Sequence, residues 1–202
     1  MYIPKHFALD DVPQAVAFMQ KYSFATLVTA IGNHPEATHI PFITEQRGND
    51  IILTSHFAKA NPQAADIDQT EALVIFTEPH AYISPSHYEK LQNVPTWNYI
   101  AIHAYGKAII IEDEAAQLQM METMISTYDA PYLQQWDSMP IDYKQKLLKG
   151  IVAFEIRVTD LQGKQKLSQN RTEVERNNIV DTLSKSKDSV VRDLSDYMKF
   201  NH

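Results

Sequence analysis

Three phrases between Thr54 and Tyr99 concentrate the residue types that bind and react. They are Thr-Ser-His-Phe-Ala-Lys-Ala-Asn-Pro-Gln at 54–63, Pro-His-Ala-Tyr-Ile-Ser-Pro at 79–85 and Val-Pro-Thr-Trp-Asn-Tyr at 94–99. Each sets hydroxyls, amides, imidazoles or aromatic rings between apolar, strand-like runs. A core strand needs none of those groups, and burying one without a partner costs about 1–3 kcal/mol. The density therefore points to a binding site, or to an interface lined like one. It does not spell out nucleophilic catalysis: Ser84 and Ser86 lack a Gly-x-Ser-x-Gly elbow, and no His/Asp pairing is visible. His56, His80, His87 and His103 include no His-x-x-x-His pair on a helix, so a metal site would need the fold to assemble it.

The elements that must position these groups are mostly strands. Phe24–Ala30 reads as a strand, Gly32-Asn33 as a turn and Glu36–Ile43 as the returning strand. Arg47-Gly48-Asn49-Asp50 turns into Ile51–Ser55, and the segment 58–66 reads as a helical turn. Ala72–Thr77, Ala81–Ser84 and the long Asn98–Glu112 follow, the last broken by Gly106, where a bulge or bend is expected. Ile151–Val158 is the last strand. Helices are expected from about Val12 to Lys21, over Glu114–Tyr128 with Leu118, Met121, Ile125 and Tyr128 on one face, and over Ile141–Leu148. Thr172-Glu173-Val174-Glu175 is a capping box for a helix to about Leu183. The stretch 184–202 frays or forms another short helix. Hairpin turns early, with no regular β-α-β alternation, predict an antiparallel barrel rather than a doubly wound sheet.

Composition sets the outer bounds. The 202 residues fit one domain, or one domain with a helical appendage, and 44% apolar content supplies a core. No apolar run reaches membrane-spanning length, and the first residues carry no secretory pattern. With no cysteine there is no disulfide, thiolate metal site or cysteine nucleophile. A cytoplasmic protein is expected. The net charge of −7 disfavours DNA binding by the main body, although a cluster at Lys164, Lys166, Arg171 and Arg176 could touch nucleic acid. An anionic small ligand stays compatible, because one lysine and a set of backbone amides can override the global field.

Several phrases together resemble one family. They are Met-Tyr-Ile-Pro-Lys-His-Phe at the start, Ala-Thr-His-Ile-Pro-Phe at 37–42, the three phrases above, and Lys-Leu-Ser-Gln-Asn-Arg at 166–171. The chain resembles the PaiB family, bacterial proteins described as negative transcriptional regulators of sporulation and degradative-enzyme production. The resemblance spans most of residues 1–185. It implies an α+β fold, a six-stranded antiparallel split β-barrel of the FMN-binding type with peripheral helices. Residues 1–162 would form the barrel domain and 163–202 a polar segment and helix. It further implies a homodimer with flavin sites at the subunit interface. A fold does not confer a function, so the site has to be argued from its residues.

A flavin phosphate needs a positive charge, hydroxyl donors and amides converging on one group. By the resemblance, Thr54 and Ser55 supply hydroxyls, Lys59 the charge and Asn61 an amide. The related oxidases carry further basic residues in this window, and this chain has one, which implies a weaker grip. A solvated loop lysine and a simple Asn61-Pro62 turn are the alternative. Thr38 and His39 could reach the flavin ring or its ribityl chain, or His39 could bond a neighbouring carbonyl inside the barrel. Trp97 and Asn98 would lie near the subunit boundary, with a core tryptophan as the alternative. Three functions follow: a regulator acting through flavin or a partner, a flavin-dependent oxidoreductase on a small molecule, and a haem-binding or haem-degrading protein. In the second, the flavin does the redox chemistry and the protein orients it.

Overall fold

The computed structural model describes residues 1–200; Asn201 and His202, the end of the expected C-terminal stretch, lie outside the described residues. Seven strands alternate with turns and helices: β1 (Phe24–Ile31), β2 (His34–Pro41), β3 (Ile43–Arg47), β4 (Asp50–Ala58), β5 (Glu71–Ile83), β6 (Thr96–Ile110) and β7 (Ile151–Lys166). They form one sheet in the order β2-β1-β5-β6-β7-β4-β3. The pairs β1/β2, β1/β5, β3/β4 and β4/β7 are antiparallel. The helices are α1 (Val12–Lys21), α2 (Glu114–Asp129), α3 (Leu133–Ser138), α4 (Ile141–Leu148), α5 (Glu173–Ser184) and α6 (Ser189–Phe200).

The α+β class stands, but the expected six-stranded barrel is corrected to an open seven-stranded sheet with β2 and β3 at its edges. The cause is local. The expected strand Glu36–Ile43 breaks in two, because Pro41 has no N–H to continue a ladder. Phe24↔Pro41 is the end of the β1/β2 register, and Ile43↔Thr54 opens the β3/β4 register. Between them the Phe42 N–H donates to the Ser23 carbonyl at 2.9 Å, and the Phe42 ring is buried. The chain thus changes pairing partner at one residue. Conversely, the expected strands Ala72–Thr77 and Ala81–Ser84 are one strand, β5.

The chain packs as two compact units, each assembled from separated stretches. One comprises 18–75 and 104–161, and its core includes Leu27, Leu53 and a phenylalanine trio. The Phe154 ring lies 5.0 Å from that of Phe57 and meets that of Phe42 edge-on at 6.4 Å. Burial of each such ring is worth about 1.5–3 kcal/mol. Helix α2 belongs here and buries Met120 and Met124, a face rotated by one residue from the expected one. The other unit comprises 1–17, 76–103 and 162–202, where α5 and α6 pack together around Ile179, Leu183, Leu194 and Met198. Thr172 caps α5 as expected, its Oγ1 accepting from the Glu175 N–H at 3.2 Å. The Glu175 carboxylate does not return the bond; it accepts from the Glu89 N–H at 3.2 Å. No helix among the described residues is long and apolar enough to cross a membrane.

Candidate functional site

Strand β4 carries Thr54 and Ser55 side by side, so the pleat sends their side chains to opposite faces. Thr54 stands between Ile43 of β3 and Glu155 of β7 and is 6% exposed. Its Oγ1 is buried without a hydrogen-bond partner. Ser55 is fully buried on the other face, where its Oγ donates to the Pro41 carbonyl at 2.7 Å. The two hydroxyls do not converge on one ligand atom.

Past the end of β4 the chain builds a polar corner. Asn61 caps the 3-10 turn Pro62–Ala65, its Oδ1 accepting from the Gln63 N–H at 2.9 Å. Its Nδ2 donates to Thr38 Oγ1 at 2.9 Å, and Thr38 Oγ1 donates in turn to Gln63 Oε1. Gln63 Nε2 donates to Thr29 Oγ1 at 2.8 Å and to the Glu36 carbonyl at 3.2 Å. The structure therefore brings Thr38 and Asn61 together, through a buried glutamine that sequence reasoning did not single out. The signal was available in the Asn-Pro-Gln triplet, a cap followed by proline at the first position of a helical turn. Lys59 anchors the same loop through its backbone, whose N–H donates to the Gly150 carbonyl at 2.8 Å. Its side chain is exposed, and no carboxylate lies within 4 Å of it among the described residues. His39 is exposed on β2, opposite Thr26, and alternation places it on the face away from Thr38.

An inventory of donors decides what this corner can hold. The Thr38 proton is committed to Gln63, whereas Asn61 keeps one amide N–H and Lys59 keeps its ammonium. One full positive charge and one amide donor on an exposed loop fit a phosphomonoester, held chiefly by the lysine.

Trp97 and Asn98 belong to the other unit. Trp97 is 53% exposed, and its ring lies 6.0 Å from those of both His80 and Tyr82. Asn98 is fully buried, its Nδ2 donating to Ser168 Oγ at 2.9 Å. This bond ties β6 to the Lys166–Arg171 segment, where Lys166 Nζ donates to Thr96 Oγ1. Burial holds the Lys166 ammonium below the usual lysine range, with Tyr99 opposing and Lys164 adding to that shift. Desolvation also lowers the pKa of His56 and, together with the N-terminal ammonium, that of His103. Among the described residues no group of three or more His, Asp or Glu side chains is set to hold a metal.

A family model described as "Putative FMN-binding domain" matches residues 1–160. The "Protease synthase and sporulation protein PAI 2" of Bacillus subtilis (strain 168) is 40% identical over 203 residues, covering 98% of this chain and 97% of that protein. An uncharacterized protein of Aspergillus fumigatus is 28% identical, covering 92% of this chain and 91% of its own. Among solved structures, the flavocytochrome Anf3 from Azotobacter vinelandii superposes with a TM-score of 0.63 at 12% identity, over 81% of this chain and 72% of that one. The FAD and heme binding protein from Mycobacterium smegmatis gives 0.60 at 13% identity, over 78% and 72%. At such identities the likeness is one of fold, and these neighbours are split-barrel-like.

Proposed function

This chain belongs to the PaiB family of FMN-binding-domain proteins, and on that premise we propose that it binds FMN and acts as a regulatory homodimer in the cytoplasm. The observation that carries the reading is the exposed Lys59, without a carboxylate partner among the described residues and two positions before the Asn61 that bonds Thr38. Lys59 would hold the flavin phosphate, Asn61 would add its free amide N–H, and Thr38 with Gln63 would keep that amide aimed. The turn, the cap and the buried glutamine brace one another independently of the lysine side chain. When bound, FMN supplies one- and two-electron redox chemistry. The residues of this chain would bind and orient it. Flavin-dependent turnover of a small molecule is the second reading. The haem-binding solved neighbours motivate a third, and an intense Soret band on titration with haem would support it.

The test is the visible spectrum of the purified protein, as isolated and after FMN addition and gel filtration. A retained flavin band is expected. Lys59→Ala should then weaken FMN by about 1.5–3 kcal/mol, the worth of a charge-assisted bond, or roughly tenfold to a hundredfold in dissociation constant. An unchanged constant would move the phosphate elsewhere. A protein that retains no flavin would shift the regulatory reading to protein partners. Steady oxidation of a reduced nicotinamide with added FMN would favour the enzyme.

A further inference from the structure

Thr54, whose buried hydroxyl has no partner, lines a cleft of about 350 Å³ that plays no part in the corner described above. Its floor is the β3/β4/β7 face of the sheet and its wall is α2. Ile43, Ile111, Ala116 and Met120 give it an apolar body. Gln119 and Thr123 add polar groups on the helix side. A neighbouring groove of about 280 Å³ shares Ile43, Glu45 and Thr123. The unpartnered Thr54 hydroxyl calls for an explanation, because a buried hydroxyl left without a partner costs about 1–3 kcal/mol. Thr54 as a β-branched strand residue could have been valine at no loss of packing.

Charge selects the class of ligand. Arg47 Nη2 donates to Glu45 Oε2 and to Glu155 Oε1, each at 2.7 Å, and Nε donates to Glu45 Oε2 at 3.1 Å. These contacts hold the guanidinium firmly protonated, pushing its pKa above the ordinary arginine value. The adjacent Arg157 and Asp50 pair at 2.9 Å and cancel. Two carboxylates against one guanidinium leave the cleft with an excess of one negative charge. An anion would meet that excess, and a neutral ligand would leave it standing.

We infer that the cleft between α2 and the β3/β4/β7 face is a second ligand site, taking a small organic ammonium with a short hydrocarbon body. The apolar walls take the hydrocarbon, the carboxylate excess takes the charge, and Thr54 Oγ1 accepts an N–H. The inference rests on the cleft alone and stands whether or not FMN is bound.

The probe is n-hexylamine, titrated calorimetrically into the full-length protein at pH 7 beside n-hexanoate and n-hexanol. Saturable hexylammonium binding is expected, at least about tenfold tighter than hexanoate. Thr54→Val removes an unpartnered hydroxyl and keeps the shape, so it should fold at least as stably while weakening hexylammonium by about tenfold. Glu155→Gln should abolish the preference for the amine over the acid. Met120→Trp should fill the cleft and eliminate binding while leaving FMN retention unchanged. Equal binding of the three probes, binding indifferent to Met120→Trp, or no saturable binding at all, with the cleft then holding only water, would each overturn the inference.

Discussion

At the scale of single residues, His56 carries a definite pH signature. It lies on β4 opposite Ala153, with Nδ1 buried and unpartnered, and desolvation lowers its pKa from the ordinary 6.5. In the unfolded chain the imidazole takes up a proton near 6.5, whereas in the folded protein it stays neutral to lower pH. Between the two values the unfolded state binds more protons, so stability rises with pH. The contribution is therefore complete above about 6.5 and lost as pH falls through the lowered folded value. The urea midpoint should drop from pH 7.5 to 5.5, and His56→Leu should flatten that drop; identical slopes in both proteins would refute the argument. The same residue scale shows what the sequence could and could not disclose about the site. The phrase 54–63 was legible as polar groups in costly places, and Asn61 and Thr38 do meet. That Thr54 and Ser55 part company follows from strand alternation alone, once the span of β4 is known. Gln63 was harder to see, because its role depends on Thr29 and Glu36, 34 and 27 positions away.

At the scale of elements, most strands and helices were legible, and the errors fell where a strand changes partner. Hydrophobic alternation marks a strand but does not say which neighbour it pairs with, so Phe42 reads as the penultimate residue of one strand rather than the pivot between two. Gly106 is the reverse case. It reads as a break in a long β-rich run, yet β6 continues through it from Thr96 to Ile110. The glycine is required by a close approach: a Cβ there would sit 2.2 Å from the Arg157 carbonyl oxygen and 2.8 Å from Ile156 Cγ2. The first of these atoms is backbone in β7 and cannot rotate away. Gly106→Ala should therefore push the two strands apart and cost about 1–3 kcal/mol or more. A lowered urea midpoint with an unchanged denaturant slope would register this, and a wild-type midpoint would mean that the strands shift at no cost.

At the scale of the whole molecule, two surface properties bear on partners. Large rings half in water are enriched where proteins bind one another. Tyr82 and Trp97 form such a pair, 51% and 53% exposed, in the same unit as exposed Leu91 and Val94. If this face closes a homodimer, sedimentation should return twice the chain mass, and Trp97→Ser should shift the population toward monomer. A monomer at micromolar concentration would remove the argument. The second property is charge. A net charge of −7 repels a polyanion at long range, so DNA binding would have to rest on a local basic patch. The sequence offers one at Lys164, Lys166, Arg171 and Arg176, but folding engages these cations internally. Lys164 is 8% exposed, donates to the Tyr2 carbonyl at 3.1 Å and lies 5.2 Å from the centre of the Tyr99 ring. Lys166 is bonded to Thr96, and Arg171 stacks 3.9 Å from the centre of the Tyr88 ring while donating to Asn93 Oδ1 at 2.8 Å. Phosphate contacts need solvent-facing cations that can displace counterions, and cations held in this way offer few. A gel shift at about 0.1 M salt should therefore give no discrete complex with promoter DNA. Retention of one promoter fragment over a scrambled duplex at that salt would show that the chain reads DNA itself, and the proposed regulatory role would no longer need a flavin or a protein partner as intermediary.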